Sequence, residues 1–473
     1  MTSVPVSAAP AAAGPWPVTI TEPATGEVLA ELTGGGAEEA IALVDAADAA
    51  FDDWSRTPAD ARAKALAAVA EALRDPATAE ELAVLTARET GKRLAEARAE
   101  VGMSAGFFAW FAEAACMTGD NITLEVVPGI SHKVADRPLG VVAVSTPWNF
   151  PLSIPARKIA AALAAGCTAV FKPSEVAARP ALRLAEIVSK HLPDGVLGAL
   201  VGEPRAVTAA WLSDHRVRAL TFTGSTAVGA AISAQAAPTM TRCVLELGGN
   251  APFVVLDDAD PDQAAELLAG AKYRNNGQSC IAANVAWVPE ALLDQVVEGL
   301  ADRTQALRVG DPLDPQTTLG PLALPTDPAR IEELVVDAMR SGAMVVRPSW
   351  ELPERGSFAL PAICVRPGLD ARVVTEESFG PVLAVLPYRH VDEVIAHTRA
   401  NTLGLAGYVV GTDLDRAYDV ARRLDVGIVG VNTATPNTPQ IPFGGLKASG
   451  LGWEGGHHGI DVFRAPQAVA VSR

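Results

Sequence analysis

No C-x-x-C spacing occurs in the chain, and its five cysteines (Cys116, Cys167, Cys243, Cys280, Cys364) are odd in number and widely scattered. This argues against a disulfide framework and against a cysteine-ligated zinc, so no metal is expected and a reducing, cytoplasmic compartment fits. No apolar run approaches the roughly 18 residues that cross a bilayer. Basic residues are scarce: 38 Lys and Arg face 55 Asp and Glu, a formal net charge of −17. Nucleic acids and anionic membranes are held by clustered cations, so neither is expected as a partner. Residues 1–17 hold no Lys or Arg and no compact apolar segment, which excludes the charged start of a signal peptide and reads as a disordered tail.

What is present is material for a large folded enzyme. The 473 residues are 49% hydrophobic and 20% charged, more than one core usually supports. Residues 37–116 are helical in pattern, with breaks at Thr57-Pro58 and Asp75-Pro76 where proline ends one helix and opens the next. From Leu139 short apolar runs (140–145, 168–171, 196–201, 219–223, 243–247) alternate with Ala-rich helical stretches, the pattern of a parallel sheet covered on both faces. A second α/β series starts near Pro252, with a helix at about 262–273. Residues 121–136 read as a hairpin turning at Pro128-Gly129, and residues 462–471 as a further strand. Together these would form a small protruding sheet that a second subunit would cover.

Three segments offer chemistry. Cys280 ends Gly277-Gln278-Ser279-Cys280, just after a turn; a lone Cys is more often a small buried hydrophobe, and only its context argues otherwise. Leu245-Glu246-Leu247-Gly248-Gly249-Asn250 puts a carboxylate at a strand end beside glycines that admit a ligand or another backbone; Glu246 is either a salt-bridge partner or a general base. Thr146-Pro147-Trp148-Asn149-Phe150-Pro151 follows the first parallel strand, where open sheets bind ligands, although Asn149 alone would read as a turn residue.

Three more segments suggest a nucleotide. Phe171-Lys172-Pro173-Ser174-Glu175 offers an ammonium and a carboxylate to ribose hydroxyls. Phe222-Thr223-Gly224-Ser225-Thr226 runs from a strand through a Gly turn into a helix whose N-terminus suits a pyrophosphate. In Glu376-Glu377-Ser378-Phe379-Gly380-Pro381 a carboxylate could anchor a second ribose, or simply form a solvated acidic turn.

In this order the motifs P-W-N-F-P, K-P-S-E, F-T-G-S-T-x-x-G, E-L-G-G-N, G-Q-S-C, E-E-S-F-G-P and P-F-G-G-L-K-x-S-G resemble the aldehyde dehydrogenase superfamily, over nearly all of residues 18–471. The resemblance implies an α/β fold: a Rossmann-like cofactor domain (18–118 and 139–247), an α/β catalytic domain (248–459) and a small β oligomerisation domain (119–138 and 460–473). It implies Cys280 as nucleophile, Glu246 as general base and Asn149 as oxyanion donor. Cofactor contacts would come from Trp148, Lys172, Ser174, Glu175, Gly224, Ser225, Gly248, Glu377 and Phe379. Glu175 should accept a hydrogen bond from a free 2′-hydroxyl and repel a 2′-phosphate, which favours NAD over NADP.

Glu246 favours the hydrolytic, acid-forming branch over a coenzyme A-acylating or reductive enzyme of the same fold. With Cys280 it also weighs against a catalytically silent member serving as a binding or structural protein. The expected partners are a small-molecule aldehyde and further copies of the chain, as a homodimer or homotetramer. Asn437 and Thr438 lie near where relatives similar to succinate-semialdehyde dehydrogenase bind a distal carboxylate, and Tyr273 and Arg274 could add a ring and a cation. Val285 and Trp453 depart from the family pattern at positions where Arg is usual, and both are read as structural.

Overall fold

The computed structural model describes residues 16–117 and 122–472. Most of the expected N-terminal tail (residues 1–15) lies outside them, but Trp16 and Pro17 are not tail: they open a strand.

Strands β1 (Trp16–Thr21) and β2 (Val28–Gly34) form a hairpin, followed by helices α1 (Ala37–Arg56), α2 (Ala59–Arg74), α3 (Pro76–Thr90) and α4 (Leu94–Met117). The helix breaks fall at the two Pro dipeptides. Asp75 caps α3 by accepting a hydrogen bond from the Thr78 N–H at 2.9 Å, and Pro76 fills the first helical position, where no N–H is needed. Next come β3 (Ile122–Val127) and β4 (Ile130–Pro138). The first α/β series is β5 (Val141–Ser145), α5 (Ser153–Ala165), β6 (Thr168–Lys172), α6 (Ala178–Ser189), β7 (Leu197–Ala199), α7 (Pro204–Ser213), β8 (Val217–Thr223), α8 (Thr226–Ala236) and β9 (Arg242–Glu246).

The second series is β10 (Ala251–Val255), α9 (Pro261–Tyr273), β11 (Ala283–Pro289), α10 (Leu293–Gln305), α11 (Asp327–Arg340), β12 (Met344–Val346), β13 (Ala362–Val365), α12 (Arg372–Thr375) and β14 (Val382–Tyr388). It continues through α13 (Val391–Ala400), β15 (Leu403–Gly404), β16 (Ala406–Val410), α14 (Leu414–Arg423) and β17 (Ile428–Val431). The chain then closes through β18 (Leu446–Lys447), β19 (Gly450–Leu451), α15 (His458–Asp461) and β20 (Arg464–Ser472).

The first sheet has the order β19-β9-β8-β5-β6-β7, and the second β12-β13-β14-β11-β10-β16-β17. Strand alternation decides which helices each sheet buries. Val142 and Val144 of β5 pack with α2, α4, α5 and α6, while Val141 and Ala143 pack with α1, α7 and α8. In β10, Phe253 and Val255 face α9 and α10, whereas Val254 faces α11, α13 and α14. Both sheets are therefore covered on both faces, as their unbroken apolar strands require.

Because the strand order of the first sheet reverses around β5, its crevice opens beyond the ends of β5 and β8, where Asn149 and Gly224 follow.

The hairpin and terminal strand form a third sheet of order β20-β4-β3, with β20 paired to β4 from Arg464↔Pro138 to Ser472↔Ile130. Residues 460–461 belong to α15, not to this sheet. One boundary is corrected more substantially. Although 248–459 reads as a single lobe, β19 crosses back and pairs antiparallel with β9, Gly450 opposite Glu246. A two-residue strand carries too little periodicity to be read from sequence.

Candidate active site

The segment leading to Cys280 leaves α9 through an unusual backbone path. Asn275 (φ 53°), Asn276 (φ 57°) and Gly277 (φ 78°) are consecutive left-handed residues. Asparagine tolerates that region better than most residues, and here the tertiary contacts select it. The Asn276 amide donates to Gly91 O (3.0 Å) and Pro321 O (2.9 Å), and its Oδ1 accepts from the Gly320 N–H (2.8 Å). At Gly277 a Cβ would lie 2.2 Å from Gly380 O, so only glycine allows this approach. A Cβ on Gly249 would likewise lie 2.1 Å from Cys280 O. The E-L-G-G-N segment thus touches the cysteine turn.

Asn149 is buried, and its Nδ2 donates to Gln278 O at 3.1 Å. An amide nitrogen carries two hydrogens, so one donor remains; the Cys280 N–H also has no acceptor among the described residues. The Asn149 carbonyl is held by Lys92 Nζ (2.9 Å) and Asn275 Nδ2 (3.0 Å). Buried Lys92 pairs with Glu100, whose other oxygen accepts from the Leu152 (2.9 Å) and Ser153 (3.1 Å) N–H groups at the start of α5. This ion pair fixes the segment bearing Asn149, and the Asn275 and Asn149 amides join that segment to the loop bearing Cys280.

Glu246 ends β9 with its backbone gripped on both sides, its carbonyl accepting from the Gly224 N–H at 3.0 Å and its residue facing Gly450 of β19. The residue is 1% exposed, and its carboxylate has no ion-pair or side-chain hydrogen-bond partner. The comparably buried Glu89, Glu100 and Glu454 are paired with Arg179, with Lys92, and with Arg157 and Lys158 respectively. A buried carboxylate without a partner is costly. Burial first, and then the like charge of Glu454, push Glu246 well above the ordinary carboxylate range, against the pull of Arg157, Lys158 and the Gly445 N–H. Burial would raise Glu454 too, but its pairing with Lys158 and Arg157 holds it below the usual value. Burial, with Glu377 and Glu246 adding to it, pushes the Cys280 thiol up to about 12, and Arg157 and Arg274 oppose the shift.

The residues expected at a dinucleotide gather around the same crevice. Trp148 and Phe379 meet edge to face, centroids 5.6 Å apart. Glu377 accepts from the Gly249 N–H at 3.2 Å, and a Cβ on Gly248 would approach its other oxygen to 3.0 Å. Burial first pushes Glu377 up to about 7. Lys172 is buried with its ammonium on Pro173 O (3.1 Å) and 3.9 Å from the more exposed Glu175, and burial lowers its pKa. The Ser174 hydroxyl accepts from the Val176 N–H at 3.3 Å. Gly224 leads into Ser225, which caps an exposed N-terminus of α8. A helix N-terminus at a strand-order reversal, a buried ammonium held only by a carbonyl and a weak ion pair, and a buried acid with one backbone partner fit a bound dinucleotide.

The expected substrate residues divide. Arg274 is half-buried, makes no ion pair among the described residues, lies 5.8 Å from the Phe150 ring and is close enough to Cys280 to act on its thiol. Asn437 keeps a buried, unpartnered Oδ1, and Thr438 is exposed. The loop carrying them runs beside α9, where a Cβ on Gly270 would lie 3.5 Å from Ala434 Cβ. Tyr273 is different: its hydroxyl bonds Thr304 of α10 at 2.7 Å inside the core. It is withdrawn from the substrate set, because α9 ends at Tyr273 with its ring in the core and the backbone leaves the helix at Arg274. Val285 is buried in β11, and the Trp453 ring covers Gly444.

Sequence reasoning missed the supporting ions Lys92, Glu100, Arg157, Lys158 and Lys272. For the four on helices the one signal was charge inside an otherwise apolar stretch, as in the Arg157-Lys158 step of the buried α5; Lys92, in the connection between α3 and α4, gave none.

A cysteine turn, a buried acid without an ion-pair partner and a buried amide with a free donor beside a crevice that fits a dinucleotide are consistent with the class of nicotinamide-dependent aldehyde-oxidising enzymes. The chain belongs to the aldehyde dehydrogenase family, which it matches over residues 12–469. It is 39% identical to the NADP(+) succinate-semialdehyde dehydrogenase of Escherichia coli over 94% of this chain and 92% of that protein. It is 40% identical to a non-phosphorylating aspartate-semialdehyde dehydrogenase of Halomonas elongata, over 94% of this chain and 90% of that one. The crystal structure of a succinate-semialdehyde dehydrogenase from Burkholderia pseudomallei superposes with TM-score 0.93 at 38% identity, covering 97% and 95% of the two chains. Among the described residues no helix is long and apolar enough to cross a membrane.

Proposed function

We propose that the protein oxidises an aldehyde bearing a distal carboxylate to the corresponding acid, through a thioester on Cys280. The carrying observation is Glu246, a buried carboxylate with no ion-pair or side-chain partner, close to the half-buried Cys280 thiol. As Cys280 Sγ bonds the carbonyl carbon, its proton passes to Glu246, whose raised basicity suits that task. The free hydrogen of Asn149 Nδ2 and the Cys280 N–H hold the resulting oxyanion. A nicotinamide dinucleotide, when bound, supplies the hydride acceptor. Glu246 gives that proton up to solvent, then takes another from water as the water oxygen adds to the thioester, and the carbon–sulfur bond breaks to release the acid while Glu246 returns the proton to the Cys280 sulfur.

Glu454 tunes this base. With Glu454→Gln the like charge disappears while Arg157 and Lys158 remain. The rate of acid release, which needs the Glu246 anion and so rises with pH, should then show its acid limb at lower pH than in wild type. An unmoved limb in a pH–rate profile would remove Glu454 from the tuning role.

Arg274 supports the distal carboxylate, since an unpaired guanidinium near the nucleophile is a ready anion partner. The relatives' names point the same way: succinate, aspartate and, in Pseudomonas aeruginosa, glutarate semialdehydes. Initial rates over aliphatic, aromatic and carboxylated aldehydes test it, with the carboxylated ones expected fastest.

Glu175 supports NAD as the preferred cofactor, with kcat/KM for NAD expected at least about tenfold above NADP, as one repulsive charge would give. Equal values would refute this. The open edges of β3 and β20 and the exposed Leu124, Val126, Val469 and Val471 support a homodimer or homotetramer. The unpaired cysteines support a cytoplasmic site.

A further inference from the structure

Lys272 is a fully buried lysine that the reaction above does not use. It is the penultimate residue of α9, just before the left-handed path to Cys280. Its Nζ donates to Ser378 Oγ at 2.7 Å and to Asn284 Oδ1 at 2.9 Å, and the Ser378 hydroxyl donates to that same Asn284 oxygen at 2.7 Å. The triangle is closed. One corner is the helix feeding the cysteine turn, one is β11 just beyond the cysteine, and one is the residue between Glu377 and Phe379.

The other side of that residue is also held. Arg330 of α11, itself paired with Asp327 at 3.1 Å, donates to Ser378 O (2.8 Å) and Phe379 O (3.2 Å). These bonds matter because Phe379 has φ 43°, a conformation an aromatic residue adopts only when its surroundings impose it. Released, the segment would relax toward negative φ, parting Phe379 from Trp148 and Glu377 from the Gly249 N–H.

We propose that Lys272 is a positioning residue for the dinucleotide: through Ser378 it holds the Glu377–Phe379 segment in register with the Cys280 turn. The inference rests on the reading of that segment as a cofactor site. A partner that was merely structural would affect both ends of the site, whereas this clamp acts on the cofactor end.

The test uses wild type, Lys272→Met, Lys272→Gln and Ser378→Ala. Dissociation constants for NAD and NADP come from tryptophan fluorescence titration, and cofactor-free turnover from hydrolysis of an activated acetyl ester at Cys280. Losing a charge-assisted hydrogen bond should weaken binding of the preferred dinucleotide at least about tenfold in Lys272→Met and Ser378→Ala, with ester hydrolysis within about twofold of wild type. Lys272→Gln, which keeps a donor, should recover part of the affinity.

Unchanged affinity in Ser378→Ala overturns the clamp, and that variant decides alone if Lys272→Met does not fold. Equal losses of affinity and ester hydrolysis in Ser378→Ala also overturn it, in favour of a general structural role. Wild-type protein that bound neither dinucleotide would overturn the functional reading itself and the clamp with it.

Discussion

Glu246→Gln should form one equivalent of acyl-enzyme and then nearly stop. The amide is close in shape to the carboxyl but takes no proton from water, so steady-state turnover should fall by about 10²–10⁴. Reduced dinucleotide should still appear as a burst of up to one per active site, more slowly than in wild type because thiol activation also loses its base. Mass spectrometry of the quenched protein should find the acyl adduct on the peptide containing Cys280, and Cys280→Ala should give neither burst nor adduct. Wild-type steady-state turnover in Glu246→Gln would remove it from both proton transfers. In wild type the acid-release rate should rise with pH through an inflection above the ordinary carboxylate range. Burial and Glu454 keep Glu246 protonated there at lower pH, and only its anion can accept the proton.

Asn149→Ala should cost about 10²–10³ in kcat, the usual effect of removing one oxyanion donor. The loss should fall on kcat more than on the KM of the aldehyde, because the donated hydrogen meets charge that develops only as sulfur adds. Stability should fall less than for a typical buried polar residue, because the Asn149 carbonyl, which Lys92 and Asn275 hold, survives the substitution. Near-normal turnover with correct folding, checked by thermal unfolding alongside the kinetics, would remove Asn149 from the oxyanion site.

Much of the architecture was legible because its signals are local. The run Val141-Val142-Ala143-Val144 reads as a doubly covered strand, and Asp75-Pro76 reads as a helix start; both stand as read. The hairpin and terminal strand were also readable, since alternation and a Pro-Gly turn do not depend on distant residues. Tyr273 misled for the opposite reason. Adjacency to Arg274 suggests a shared site, yet α9 ends at Tyr273, whose hydroxyl is tied to Thr304 in the core, while the backbone turns out of the helix at the half-buried Arg274. The crossing of β19 onto β9 was illegible because two residues carry no period.

The sequence by itself determined the residue types and order of the candidate site: Asn149 after the first parallel strand, Glu246 at a strand end, Cys280 after a turn and Glu377 in an acidic turn. Only the tertiary structure decided how each behaves. Glu246 and Glu454 are both buried glutamates, but one has no ion-pair or side-chain partner and the other has Arg157, Lys158 and Thr221. Lys272 became part of the site only when folding brought α9, β11 and the Glu377 segment together. A protonation state or a hydrogen bond depends on what lies a few ångströms away, and in this fold those neighbours come from residues far apart in the chain.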